Sequence, residues 1–262
     1  MDGTAIRIET ADGLATLTLS RPDRGNPIDG QFGRELKQIA NELRQDSALH
    51  AVLLRAEGSN FSFGGDLKVF GERLGRLPHT VNEWTADLHM ALQRFWTLPV
   101  PIVCAVQGYA MGGSLSMAAG CDFVVAGESA RLGSAFAQIG FSCDSGSSVT
   151  LTDRMGATRA RRFVMLGEIL RSGEALQAGL VDQVVSDDQL DDCAMQLARR
   201  FACGPTLAYG QIKRLFRSAQ TVSLEAQLED EARTIAVISG TEDAREGIAA
   251  QLAKRKPDFK GR

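Results

Sequence analysis

The chain reads as an α/β fold whose last quarter is purely helical, and three features of the sequence predict it. Short apolar runs of strand length alternate with segments of helical period through about residue 185. Glycine- and serine-rich turns separate them, notably over 56–66 and around Gly108. From about residue 187 onward only helical patterns remain. With 262 residues, 44% hydrophobic and 23% charged side chains, the chain has enough apolar material for one large domain or a domain with a small appendage.

The elements follow in order. Residues 13–20 (GLATLTLS) alternate small or apolar positions with threonine, the pattern of a half-buried strand. A turn-rich stretch, Arg21 to Gly30, leads into a helix marked by Leu36, Ile39, Ala40 and Leu43. Ala51 to Ala56 (AVLLRA) is a buried strand, and a loop over 56–66 carries the segment FSFGGDLK at 61–68. Helical patterning within 71–98 is clearest from Asp87 to Trp96. A strand from Pro101 to Val106 then turns at Gly108 into a helix starting near Gly112. Strands are expected at Asp122–Val125, Ala130–Leu132 and Val181–Val185, with helices at Ser145–Met155 and Thr158–Leu166. Beyond these, Leu190, Ala194, Leu197 and Phe201 share one helical face, and 205–218, 223–238 and 242–254 are further helices. The division falls at 1–202 for the α/β core and 203–262 for the helical region.

Composition removes several function classes. A net charge of −3 offers no global positive field for a nucleic-acid backbone. Only three histidines occur, His50, His79 and His89, without an HExxH pattern or a Cys/His cluster of zinc-ligand spacing, so no metal site is expected. Five scattered cysteines, mostly in apolar surroundings, indicate a reducing compartment with buried thiols. The acidic start MDGTAIRIETADG has neither the basic nor the apolar part of a signal peptide. Phe95 to Cys121 is uncharged and long enough to span a bilayer, yet Pro99, Pro101, Gln107, Gly108, Gly112 and Gly113 break it. A cytoplasmic protein without membrane contact is the expectation.

Three segments carry a resemblance: FSFGGDL at 61–67, PIVCAVQGYAMGG at 101–113, and GEILRSGEALQAGLVDQVV at 167–185. With the opening LTLSRPDRGNPID and the tail EGIAAQLAKRKPDF, they occur in the order and at the intervals of the crotonase family, also called the enoyl-CoA hydratase/isomerase superfamily. The chain resembles that family over nearly its whole length. The resemblance implies a crotonase-like spiral of ββα units with a C-terminal helical region packing between subunits. It also implies a homotrimer or dimer of trimers, and an acyl-CoA thioester as substrate. Coenzyme A would then enter as part of the substrate, with no separate cofactor.

Glycines near helix starts let the backbone approach a ligand closely and present unpaired N–H groups. By family position the N–H groups of Gly65 and Gly113 would form an oxyanion hole for the thioester carbonyl; tight turns are the plainer explanation of the glycines alone. The resemblance implies that Phe63, Gly64, Asp66, Leu67, Lys68, Tyr109 and Gly112 surround the substrate, with Asp66 ordering its loop or capping a helix. Hydratases of this family use two glutamates. Their positions are held here by Ser116 and Phe136, neither of which ionises near neutral pH, so hydration is in doubt.

Asp144, in GFSCDSGSS at 140–148, matches an aspartate found in two family branches. One is the isomerase branch, which includes the epoxide-to-oxepin isomerase of phenylacetate breakdown; the other is 4-chlorobenzoyl-CoA dehalogenase. A helix N-cap is the local alternative for Asp144. In the isomerase reading Asp144 shuttles a proton between two carbons, with Phe136 and Phe141 as apolar neighbours. In the dehalogenase or hydrolase reading Asp144 is a nucleophile and His89 the base for water. A third reading is an acyl-CoA-binding protein without catalysis. Coenzyme A phosphates call for local cations, and Arg21, Arg24 and Lys68 lie on loops beside the expected pocket. Family tails reach a neighbouring subunit's adenine pocket, which here would involve Phe259 and Lys260 in a stretch that also carries Lys254, Arg255, Lys256 and Arg262.

Overall fold

The computed structural model describes residues 3–262. The first two residues of the acidic start fall outside the described residues. The backbone forms nine strands and eleven α-helices among those residues. In chain order they are β1 (Ile6–Ala11), β2 (Leu14–Leu19), α1 (Gly30–Gln45), β3 (Ala51–Ala56), α2 (Leu67–Glu72), α3 (Leu77–Trp96), β4 (Ile102–Val106), β5 (Tyr109–Met111), α4 (Gly113–Ala119), β6 (Phe123–Gly127) and β7 (Arg131–Gly133). Then follow α5 (Ser147–Met155), α6 (Ala157–Leu166), β8 (Ile169–Arg171), α7 (Ser172–Gln177), β9 (Gln183–Val185), α8 (Leu190–Ala202), α9 (Thr206–Ser218), α10 (Leu224–Ile238) and α11 (Glu242–Leu252).

A six-stranded sheet runs in the order β1-β2-β3-β4-β6-β9, parallel except for the β1–β2 hairpin. Both faces of its central strands are covered, which is why β3, β4 and β6 read as apolar runs. β2, expected to be half-buried from its alternating threonines, is buried along its whole length. Val52 and Leu54 of β3 face the main core with Leu36 and Ala40 of α1 and Leu92 and Phe95 of α3. Ala51 and Leu53, one residue out of phase, face a second core that α8 closes with Leu190, Ala194 and Ala198. Thus α8 belongs to the sheet, and α9–α11 form the outlying helical layer.

Each turn of the chain leaves the large sheet, contributes a short segment to a second one, and returns through a helix. β5, β7 and β8 make this second sheet, and single bridges Ile28↔Gly65 and Ser62↔Ala110 continue it into the earlier turns. This repeating excursion stacks equivalent loops from successive turns, and it is what brings residues near 28, 65, 112 and 135 to one wall.

Five elements were not anticipated from the sequence: β1, α2, β5, β8 and α7. β1 (IRIETA) alternates, but only Ile6 is buried, so it is an edge strand with little hydrophobic signal. β5 and β8 are three-residue pieces made by their neighbours' pairing rather than by their own sequence. α3 starts ten residues before its clear pattern, with Pro78 in its first turn.

Candidate functional site

The two glycine-rich loops meet because their geometry leaves no room for side chains. Gly64 has φ +83°, and a Cβ there would lie 2.5 Å from the Met111 carbonyl oxygen. Gly112, at φ +56°, donates its N–H to the Gly133 carbonyl and opens α4. Two buried serines stitch the loops together. Ser62 Oγ donates to the Asn26 carbonyl at 2.7 Å and accepts from Gly64 N, while Ser114 Oγ lies 3.1 Å from the Ser62 carbonyl oxygen.

Beside them lies a cavity of about 630 Å³. Gly65 and Gly113 both line it, and neither N–H has a protein acceptor among the described residues. Its opposite wall is a stripe of α3, Val81, Trp84, Thr85 and Leu88, at the i, i+3, i+4, i+7 spacing of one helix face. Phe70 packs between Trp84 and Phe141 at centroid distances of 5.4 and 5.9 Å, giving the wall an aromatic corner. Phe63, Leu67, Ala135, Phe136 and Cys143 also line the cavity.

Asp144 is the acidic side chain on this cavity, and no other acidic residue lines it among the described residues. It reaches the wall on a segment turned by the left-handed Gly140 and placed ahead of α5. α5 is capped by Gly146 without a side-chain bond, so Asp144 is not its N-cap. The Asp144 backbone carbonyl anchors the turn instead, accepting from Ser147 N at 3.0 Å. The carboxylate is left for His89, whose Nε2 lies 2.6 Å from Oδ1. His89 sits on α3 one residue beyond the cavity stripe and lines a second cavity of about 950 Å³. Ser145 borders both cavities, so the His89–Asp144 pair stands where they adjoin.

Several residues singled out from sequence lie elsewhere. Ser116 is fully buried, bonded to Ser147 Oγ at 2.5 Å and the Gly112 carbonyl, and does not reach the cavity, because α4 turns it toward α5. Tyr109 stacks on the outer side of Phe63 at 5.5 Å rather than lining the cavity. Arg21 is buried and held bidentate by Asp29, so it has no access to a ligand phosphate. Arg24 pairs with Asp66 at 2.7 Å, and Asp66 also caps α2 through Val69 N. Lys68 is exposed on α2 beside the lining residue Leu67.

Phe259 and Lys260 lie away from their own chain's cavity. The Phe259 ring rests on Gly247 of α11, and the Lys260 N–H donates to Asp243 at 2.7 Å. Glu246 anchors the same tail by accepting from Arg255 and from Asp258 N, and these bonds hold its carboxyl down at about 2.

Phe70, Val81, Trp84, Thr85 and Leu88 were not singled out from the sequence as lining residues; all but Leu88 lie ahead of the clear helical pattern from Asp87 to Trp96, and Phe70 belongs to α2. Ser145 was not singled out either, since its backbone conformation has no sequence signal. No cluster of three or more His, Cys, Asp or Glu suited to a metal ion occurs among the described residues. No helix among them is long and apolar enough to cross a membrane.

Comparisons with known proteins show the family and the fold. Residues 9–262 match the family described as Enoyl-CoA hydratase/isomerase. The 1,2-epoxyphenylacetyl-CoA isomerase of Escherichia coli K12 is 35% identical over 259 residues, covering 95% of this chain and 96% of the relative. The 2,3-dehydroadipyl-CoA hydratase of the same organism is 36% identical over 249 residues, covering 94% of each. Among solved structures, a putative enoyl-CoA hydratase from Streptomyces coelicolor A3(2) superposes with a TM-score of 0.93 at 33% identity, covering 98% of this chain and 94% of that one. A putative enoyl-CoA hydratase/isomerase from Mycobacterium abscessus gives 0.91 at 33% identity, with 98% and 100% covered. The ββα spiral expected from the sequence is therefore the fold.

Proposed function

The chain belongs to the enoyl-CoA hydratase/isomerase family, and within it we propose that it is an acyl-thioester isomerase that moves a double bond by proton transfer. The observation that carries this reading is the single carboxylate, Asp144, on a cavity whose wall also holds Gly65 and Gly113 with unpaired N–H groups. Ser116 and Phe136 stand where a hydratase of this family has its two glutamates, and one carboxylate suffices for isomerisation.

The thioester carbonyl oxygen accepts from Gly65 N and Gly113 N. Asp144 removes a proton from the carbon next to the carbonyl, and the freed electron pair delocalises onto that oxygen as a dienolate. The two N–H groups are fixed before charge develops, so they favour the dienolate over the ground-state ester; one such donor contributes roughly 3–4 kcal/mol. The proton then returns from Asp144 two carbons further along, and the double bond moves into conjugation with the carbonyl. A positioned base contributes about 10²–10⁴ in rate.

The apolar stripe of α3 and the aromatic corner receive the acyl group. Exposed Lys68, with Arg24 at the loop beside Phe63, supports contact with the phosphates of coenzyme A. Assembly as a homotrimer or dimer of trimers agrees with the apolar side chains exposed on the outlying helices, among them Phe216, Leu228 and Val237. In such an assembly Phe259 and Lys260 would meet a neighbour's nucleotide end.

The decisive experiment measures isomerisation of 3-enoyl thioesters by the wild type and by Asp144→Asn. Full activity in the variant refutes the reading. The His89–Asp144 contact favours a second reading, in which Asp144 is a nucleophile toward an aryl or acyl thioester and His89 activates water. Halide release from 4-halobenzoyl thioesters, dependent on both residues, would establish that reading in place of the first.

A further inference from the structure

Asp144 is followed by an unusual residue. Ser145 is buried at 2% exposure and has φ +54°, in the left-handed region that L side chains avoid. Five non-glycine residues share such angles among the described residues. Asp12 and Asn26 are of the residue types that tolerate it, and Lys254 follows the end of α11. The other two, Ala135 and Ser145, both line the cavity that holds Asp144. Strain of this kind persists where the surrounding structure over-determines it, and it gathers at functional sites.

The strained backbone puts the Ser145 hydroxyl in a specific place. Its Oγ donates to Asp144 Oδ2 at 3.4 Å, while His89 Nε2 takes Oδ1 at 2.6 Å. On its other side Oγ lies 2.7 Å from where a Cβ on Gly113 would stand, so it is wedged between the carboxylate and the loop that carries the Gly113 N–H. A glycine at 145 would accept the same φ without penalty, as Gly146 does at φ +75°. The serine therefore retains a conformational cost together with a hydroxyl at the site.

We propose that Ser145 is a positioning residue for the Asp144 carboxylate, holding Oδ2 against the Gly113 loop while His89 holds Oδ1, so that the base meets the substrate carbon in one orientation. The proposal rests on the reading of Asp144 as the proton shuttle. It predicts that removing the hydroxyl lowers turnover while leaving substrate binding alone, because the hydroxyl aims the base rather than the thioester.

The test compares Ser145→Ala and Ser145→Gly by steady-state isomerase kinetics and thermal unfolding, with Asp144→Asn alongside. Alanine keeps the backbone cost and fits the left-handed region at Ala135 of this same cavity; glycine removes that cost. Both variants are expected to lose about tenfold in kcat with KM unchanged, the lower end for a hydrogen bond to a charged group, in keeping with its 3.4 Å length. Ser145→Gly is expected to unfold at a temperature at or above that of the wild type. Wild-type kcat in Ser145→Ala, with Asp144→Asn inactive, overturns the positioning role alone. A loss confined to the less strained glycine variant also overturns it, since backbone rather than hydroxyl would then matter. Full activity in Asp144→Asn overturns the proton-shuttle reading and the Ser145 role together.

Discussion

His89 Nε2 and Asp144 Oδ1 lie 2.6 Å apart although 55 residues of chain separate them. The contact joins α3, which lines one wall of the cavity, to the turn that precedes α5. His89 is the more exposed partner, with 54% of its side chain accessible against 34% for Asp144. The histidine thus faces the second cavity and holds the carboxylate from outside the pocket. In the isomerase reading His89→Gln keeps an amide at hydrogen-bond reach and lowers kcat by about tenfold, whereas Asp144→Asn removes the 10²–10⁴ expected of the base itself. Steady-state rates on a 3-enoyl thioester check both. Equal and complete loss in the two variants would instead indicate that His89 takes part in the chemistry.

Gly64→Ala tests how the two glycine loops are held. The added methyl would meet the Met111 carbonyl at 2.5 Å, from a residue at φ +83°. One loop must retreat, carrying Gly65 or Gly113 out of register with the other. The expected result is a fold destabilised by about 1–3 kcal/mol and a kcat reduced by about 10²–10³, as when one oxyanion donor is lost. Chemical denaturation and turnover on the same preparation separate the two effects. A stable variant with normal turnover would show that the loops adjust.

The inner strands of the large sheet were legible because both of their faces are buried, so AVLLRA and PIVCAV read as apolar runs without need of the partner strands, whereas the exposed edge strand β1 was not. The helices after residue 187 were legible from period alone. β5 and β8 were not, because three residues carry no period and their pairing comes from the stacked turns of the spiral. At the site, Gly65, Gly113 and Asp144 were legible through ordered motifs. Ser116 was misplaced because a motif position says nothing about which way α4 is rotated, and here it turns the hydroxyl to Ser147. Ser145 was invisible, since a left-handed serine looks like any other in the one-letter code.

The tail offers a prediction with a pH sign. Hydrogen bonds from Arg255 and from the Asp258 N–H lower the Glu246 carboxyl from 4.5 to about 2, and burial opposes them weakly. A carboxyl depressed on docking supports the docked state at pH above its ordinary value and loses that support as pH falls through its lowered one. The tail should therefore loosen as pH drops from about 4.5 toward 2, which hydrogen exchange of residues 256–261 would follow. At neutral pH Glu246→Gln should expose Arg255 and Lys256 to trypsin while the unfolding temperature of the core stays unchanged. Wild-type resistance to trypsin would assign the docking to Asp243 and Phe259 instead.

Arg21 and Asp29 form the buried ion pair beneath the loop that carries Arg24. Their side chains are 5% and 10% exposed, the contact is bidentate at 2.8 and 2.9 Å, and Arg21 also donates to the Pro27 carbonyl. Asp29 in addition caps α1 through Phe32 N. Burial raises the Asp29 carboxyl, but the Arg21 guanidinium and the Phe32 N–H outweigh it, and the net shift is downward from 3.8. The pair therefore stabilises the fold at pH above about 4 and is lost as acid protonates Asp29 below its lowered value. Arg21→Met leaves the buried Asp29 with only the Phe32 N–H and the Arg24 guanidinium, 3.7 Å away, against it, and should cost about 3 kcal/mol at neutral pH. The same variant should show a smaller loss of stability on acidification than the wild type, because its carboxylate no longer gains from ionising. Urea unfolding of both proteins between pH 7 and pH 3 measures the two slopes, and parallel curves would place the acid sensitivity elsewhere in the chain.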